Sequence, residues 1–269
     1  MRDGHLAWVD ALAGEVHISA VDGRQSDDAV HAHGGIVGSV IPVADGTWVI
    51  GRDLQVWLTD ADGVRLRLVA EIEHLGHHLN DAKADPQGRL VVGSVSEHPS
   101  SPTGGLFQLT PDGYRELRGG MQLSNGLDWT PDGRVFYFTD SLAHLIYVAE
   151  YHDDGTFSGE REFARVVDGE PDGLAVDAEG CVWSAVWGAG RIDRYTPDGI
   201  RIGQVHVPAP HVTSLAFGGP DLTTLFITSA RDGLSADQLR AAPESGSVFV
   251  SPTDVSGQPT RLLDPALLP

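Results

Sequence analysis

Apolar and polar positions alternate along this chain in short bursts. The runs "DGTWVIGR", "PQGRLVVGSV", "PDGRVFYFTD", "AEGCVWSAV" and "GPDLTTLFITS" each follow a Gly-containing turn. The turn glycines are Gly46, Gly88, Gly133, Gly180 and Gly219, at steps of 42, 45, 47 and 39 residues. A second series of turns falls between them: "TDADGVRL", "LTPDGYREL", "YHDDGTFSGE" and "YTPDGIRIG". Asp-Gly between β-rich runs is a hairpin signal, because Gly tolerates the positive φ that a tight turn imposes. Long amphipathic helical patterns are absent. The best helical stretch is "SADQLRAAPE", and Pro243 cuts it short.

A period of roughly 40–50 residues, each holding about four short strands, predicts a β-propeller. The units fall at about residues 4–35, 36–78, 79–119, 124–168, 172–208 and 213–262. The expectation is therefore an all-β, six-bladed β-propeller forming a single domain over residues 1–269. A pair of β-sandwiches would explain the even spacing less well.

Composition narrows the choice of partners. The 269 residues carry a formal net charge of −20. Phosphate backbones need Lys and Arg, so no nucleic-acid partner is expected, and anionic membranes are disfavoured. A cation, or a neutral substrate held by one, is easier to accommodate. The single cysteine, Cys181, lies in an apolar run and reads as a buried bystander. The N-terminus shows no basic region followed by an apolar stretch, and no run approaches the roughly 18 apolar residues of a membrane span. A soluble cytoplasmic protein is the expectation; the oligomeric state is left open.

Candidate chemistry sits just ahead of the first apolar run of successive units. Asn80 in "HHLNDAKADPQG", Asn125 in "LSNGLDWTPDG" and Asp172 in "EPDGLAVDAEG" occupy corresponding places, with Thr213 and Ser214 similarly placed in the sixth. In a propeller these loops converge on the channel mouth, where ligands bind. Amide and carboxylate oxygens are hard ligands suited to Ca²⁺, Mg²⁺ or Mn²⁺. A carboxylate such as Asp172 can also serve as a base towards water. The competing explanation is that Asn-Gly, Asn-Asp and Asp-Gly are ordinary turn dipeptides.

Other constellations are weaker. "HAHGG" (His31, His33) and "HLGHHLN" (His74, His77, His78) offer zinc-ligand chemistry but lack the H-E-x-x-H form. There is no G-x-S-x-G nucleophile elbow and no G-x-x-x-x-G-K-[ST] phosphate loop. The six tryptophans (8, 48, 57, 129, 183, 187) read mostly as core, with Trp187 a candidate channel wall.

The segments "HLNDAKADPQGRLVVGSV", "SNGLDWTPDGRVFYFTDS", "EPDGLAVDAEGCVWSAVWGAGRIDRYTPDG" and "HVTSLAFGGPDLTTLFITSARDGL" resemble the SMP-30/gluconolactonase/regucalcin family, in order and from about residue 6 onward. The resemblance implies a six-bladed propeller that hydrolyses lactones with one divalent cation (Ca²⁺, Zn²⁺, Mn²⁺ or Mg²⁺). By position it assigns Asn125 and Asp172 to the metal, Asp172 also to the base, and Asn80 to substrate. His78 stands where many relatives have Arg, and His98 where some have Glu; both are assigned to substrate contact. The family's Glu-bearing G-E-G/S-P-x-W segment would lie upstream of Met1, so the first blade is expected to lack its inner strand. The expected function is metal-dependent hydrolysis of a small lactone or related ester. The alternatives are a non-catalytic propeller that binds a small ligand or cation, and a scaffold for protein partners.

Overall fold

In the computed structural model the described residues are 4–20, 29–60, 62–74, 76–98, 100 and 102–269. Their regular structure is almost wholly antiparallel strand. The chain forms two compact units: residues 1–124, 151–157 and 260–269 in the first, residues 125–150 and 158–259 in the second.

The first unit carries three sheets. One holds β1 (His5–Asp10), β2 (Glu15–Ala20) and β3 (Ala29–Ala32); the next holds β4 (Val37–Pro42), β5 (Trp48–Arg52), β6 (Gln55–Thr59) and β7 (Arg65–Glu71). The third holds β8 (Gly76–Ala84), β9 (Leu90–Ser96), β10 (Gly104–Thr110) and β11 (Gly113–Met121). Strands neighbouring in sequence are neighbours in each sheet. The C-terminal stretch returns here, where Leu263 bridges Val43 in parallel.

The second unit is built on β12 (Ser124–Trp129), β13 (Val135–Asp140), β14 (Leu145–Tyr151) and β15 (Phe157–Arg165), which form one sheet. A seven-stranded sheet completes it. One run holds β16 (Glu170–Val176), β17 (Val182–Trp187), β18 (Arg191–Tyr195) and β19 (Arg201–His206). The other holds β20 (His211–Gly218), β21 (Thr224–Ala230) and β22 (Val248–Pro252). The two runs join at the single pair Trp187–His211.

The turns obey the sequence. Gly46, Gly88, Gly133, Gly180 and Gly219 all have positive φ, as do Gly63, Gly113, Gly155 and Gly199 of the second series. Aspartates at the strand ends lock several of these turns. Asp85 Oδ1 accepts from the Gln87 and Arg89 N–H groups, and Asp177 Oδ1 from those of Glu179 and Cys181, all at 2.9–3.0 Å. The short helix α1 (Ala236–Ala241) starts at a reciprocal Ser235–Gln238 capping box and ends at Ala242, just before Pro243. No helix among the described residues is long and apolar enough to cross a membrane.

Each unit has its own apolar core. Val49, Leu79, Val92, Phe107 and Leu109 anchor the first; Tyr137, Ile146, Val182, Ile192, Leu215 and Leu225 lie in two clusters of the second. Trp48, Trp129 and Trp183 are core residues, whereas Trp8, Trp57 and Trp187 are only half-buried. Cys181 is a buried free thiol.

Candidate active site

Each candidate residue ahead of an apolar run lies within a strand, not in a turn before it. In β8, Leu79 pairs with Ser94 and Ala82 with Val92, so three steps on one strand oppose two on the other. Asn80 and Asp81 fall in that bulge. In β16, Pro171 pairs with Val186 and Leu174 with Ser184, placing Asp172 and Gly173 in the same kind of irregularity. β4 repeats it at Gly38 and β20 at Thr213. A bulge re-aims a side chain that the pleat would otherwise send to one face or the other, and bulges recur beside functional sites.

The glycines that follow the candidate ligands have a different purpose from the one the sequence suggests. An Asn-Gly pair predicts a turn, yet Gly126 lies inside β12 and does not have a positive φ. A Cβ there would strike the Leu174 N–H and come 2.6 Å from Gly173 C and 2.7 Å from the Asp172 carbonyl oxygen. A Cβ on Gly173 would strike the Ser214 side chain and lie 2.8 Å from Ser214 Cα. The same close approach brings Gly38 against Leu79 and Asn80, 2.7 Å from Asn80 Cα. Glycine at these points lets the first strands of neighbouring groups pack backbone against backbone.

In the second unit, Asn125 and Asp172 are brought together on adjoining strands. Asn125 is buried and donates from Nδ2 to Ser141 Oγ at 3.0 Å; Ser141 Oγ in turn donates to the Pro171 carbonyl at 2.6 Å. This relay fixes which way the Asn125 amide faces and ties it to the residue preceding Asp172. Asp172 is half-buried, with its backbone against Gly126. In the first unit, half-buried Asn80 donates from Nδ2 to the Ser124 carbonyl at 2.9 Å. His78 is half-buried on the same strand, its Nδ1 2.7 Å from Nδ1 of exposed His77. His98 is exposed in the loop after β9, its backbone tied to Ser96 Oγ.

Comparison with known proteins decides the family. Residues 1–231 match the family model described as SMP-30/Gluconolactonase/LRE-like region. The chain belongs to the SMP-30/gluconolactonase/LRE-like family. Among its relatives is the 6-deoxy-6-sulfogluconolactonase of Pseudomonas putida, 34% identical over 96% of this chain and 90% of that protein. Another is the regucalcin of Danio rerio, 37% identical over 83% of this chain and 79% of that protein. The crystal structure of a calcium-binding protein, regucalcin, from Agrobacterium tumefaciens superposes with a TM-score of 0.89 at 29% identity, covering 96% of this chain and 89% of the other.

Within this SMP-30/gluconolactonase/LRE-like chain, two residues were missed by sequence reasoning. Ser141, 2% exposed, is the buried link between Asn125 and Pro171; it stands just after a strand and carries no motif. Asp81 shares the β8 bulge with Asn80, and its carboxyl has no hydrogen-bond partner among the described residues. Desolvation by burial pushes its pKa up to about 6, against a smaller opposing pull from Lys83. His78 moves the other way, down to about 4, through burial first and repulsion from His77 second, with Asp53 opposing. The Asn-Asp pair was a visible signal for Asp81, but only the register shows that both residues leave the regular pleat.

Among the described residues the histidine tracts form no cluster of three metal-ligating side chains. Among the described residues the one group of three ligand-bearing side chains is Asp177, Glu179 and Cys181, with ligand atoms within 4.8 Å of one another. Arg194 already engages it: Nη2 donates to Asp177 Oδ2 at 2.6 Å and to Glu179 Oε2 at 2.7 Å, and Trp183 Nε1 adds a bond to Asp177. Asp177 follows the far end of β16 from Asp172, so this is a turn-locking ion pair remote from the bulge.

Proposed function

We propose that the chain is a sugar-lactone hydrolase that depends on one divalent cation, with Asn125 and Asp172 as its protein ligands. The observation that carries the reading is the backbone contact of Gly126 with Asp172 together with the Ser141 link from Asn125 to Pro171, which set the two residues on neighbouring strands of the second unit. An amide oxygen and a carboxylate oxygen form a hard donor pair, the chemistry that Ca²⁺, Mg²⁺ and Mn²⁺ take and that Zn²⁺ accepts. Asn125 Nδ2 donates to Ser141, so its ligand atom towards a cation would be the amide oxygen Oδ1. The kinship with a lactonase and with a calcium-binding regucalcin supports both halves of the proposal. We read the strand groups as the six blades of one β-propeller.

Such a cation, when bound, supplies Lewis acidity to a carbonyl and acidity to water. Asp172 accepts the proton of the attacking water. That water forms a bond to the lactone carbonyl carbon, the ring C–O bond breaks, and the proton returns to the ring oxygen to give the open hydroxy acid. Asn80, His78 and His98 are assigned to substrate; for Asn80 the fixed Nδ2 contact with Ser124 supports an orienting role.

The test is lactone hydrolysis by metal-stripped protein with Ca²⁺, Mn²⁺, Mg²⁺ or Zn²⁺ added back. Activity is expected to vanish with chelator, return with cation, and fall by about 10²-fold or more in Asp172→Asn. A rate indifferent to both would overturn the reading. A non-catalytic cation binder is the second reading, favoured by the regucalcin likeness. It would show a cation-induced rise in Tm with no lactone turned over.

A further inference from the structure

We infer that Trp187 and His211 form the platform on which the substrate's ring lies, with the Glu170 carboxylate at its edge. This rests on the lactonase reading and adds to it the residues that hold the ring. All of them, and Asp172, belong to the second unit.

The register places these side chains. Glu170 lies opposite Trp187, and Trp187 opposite His211. Glu170 and Asp172 are half-buried with buried Pro171 between them, and His211 and Thr213 likewise flank buried Val212. Pro171 in turn lies opposite Val186, which is fully buried. The pleat therefore sends Pro171 and Val186 to the core, and Glu170, Trp187 and Asp172 to the other face. Two residues of strand set Glu170 and its partner Trp187 about 7 Å from Asp172, a span that one sugar ring bridges.

The platform itself is a stacked pair. The Trp187 and His211 ring centroids are 3.9 Å apart and their planes 18° from parallel. His211 Nδ1 lies 2.9 Å from the Asp232 carbonyl, which can only accept, so Nδ1 carries a proton and the neutral ring offers a lone pair at Nε2. Glycines flank the pair. A Cβ on Gly188 would meet no atom within 4 Å, and one on Gly233 would meet His211 Cε1 at 3.8 Å. Core Trp183 donates from Nε1 to Asp177. Trp187 Nε1, His211 Nε2 and the Glu170 carboxylate make no hydrogen bond among the described residues. The flat apolar surface suits the C–H face of a saturated ring. The indole N–H suits a hydroxyl oxygen, and Nε2 and the carboxylate suit hydroxyl protons.

The test compares wild type with Trp187→Ala, Trp187→Phe and Glu170→Ala, all with cation present. Lactone kinetics give KM and kcat, and calorimetry gives Kd for 1,5-anhydroglucitol, a ring with no ester to cleave. Trp187→Ala and Glu170→Ala are expected to raise KM and Kd about tenfold with cation affinity unchanged, and Trp187→Phe to recover most of the loss. Adding 1,5-anhydroglucitol should shift the tryptophan emission of wild type, and Trp187→Phe should lose that shift, which decides the matter even if Trp187→Ala fails to fold. A stack that merely pins the two runs of the sheet would lower Tm on mutation and leave KM and Kd alone. That result overturns the inference, as does an emission shift undiminished in Trp187→Phe or absent in wild type. Lactone turnover indifferent to Trp187 would sink this inference alone. Trp187-dependent binding with no lactone turned over would sink the lactonase reading and leave the platform standing.

Discussion

Replacing Gly126 by Ala is the sharpest probe of how the site is built. The added methyl would sit 2.6 Å from Gly173 C and 2.7 Å from the Asp172 carbonyl oxygen, as well as against the Leu174 N–H. Ordinary carbon contacts lie near 3.5–4.0 Å, so about 1 Å of separation must be found. Every atom struck is backbone, so no side chain can swing aside. Overpacking of this kind costs about 1–3 kcal/mol, and two strands held in ladders belong at the upper end. Against this, removing Gly from the unfolded chain returns roughly 0.4–1 kcal/mol. The net expectation is a loss of about 2 kcal/mol, or roughly 4–8 °C in Tm for a chain of this size. Urea and thermal melts of Gly126→Ala beside Gly203→Ala give the comparison. A methyl added at Gly203 would meet no atom within 4 Å, and Gly203 has no positive φ, so its alanine variant should be neutral or slightly more stable. Cation binding should weaken in Gly126→Ala as well, since the shift separates Asn125 from Asp172. Equal stability of the two variants would refute the claim that backbone contact requires glycine at 126.

Four further outcomes are expected. Ser141→Ala removes the donor to Pro171 and the acceptor for Asn125, and should weaken cation affinity, read by calorimetry, with a loss of about 1–3 kcal/mol in stability; unchanged affinity would detach Ser141 from the site. Arg194→Met removes the cation beside the buried Asp177 carboxylate, which keeps its Trp183, Glu179 and Cys181 donors, and should cost about 1–3 kcal/mol by urea melt while sparing kcat, because the pair lies at the far end of β16; lost activity in folded protein would contradict that placement. In cation-free protein, Asp81 binds its proton more tightly folded than unfolded, so its contribution to stability falls as pH rises from about 3.8 to 6. His78 does the reverse between about 4 and 6.5. Wild type should therefore change little across pH 4–6 from this pair. Asp81→Asn should lose stability on acidification relative to wild type, and His78→Gln should gain, by roughly 1–2 kcal/mol each after discounting for solvent at both side chains; parallel stability curves for all three proteins would sink the assignment. Asn125→Leu should bind cation at least about tenfold more weakly in a calorimetric titration, and undiminished affinity would place the ion elsewhere.

By itself the sequence determined the local rhythm. Turn glycines, Asp-Gly pairs and short apolar runs act over a few residues, and each turn glycine adopts the positive φ its position requires. The same short reach made Ser235, Gln238 and Pro243 readable as a brief capped helix. Asn80, Asn125 and Asp172 were legible as a repeated position and as matches to a family. What they were doing there was not. A bulge is defined by a partner strand, so only the ladder could show that Asn80, Asp81 and Asp172 leave the pleat, and that Asn-Gly at 125–126 is no turn. Gly126 looks like turn chemistry until the Asp172–Leu174 backbone, some fifty residues away in the chain, is found against it. Contacts between residues distant in sequence decide which polar groups are desolvated and which are paired. Tertiary structure alone therefore made Ser141 a link, left the Asp81 carboxyl without a hydrogen bond among the described residues, and set His78 against His77.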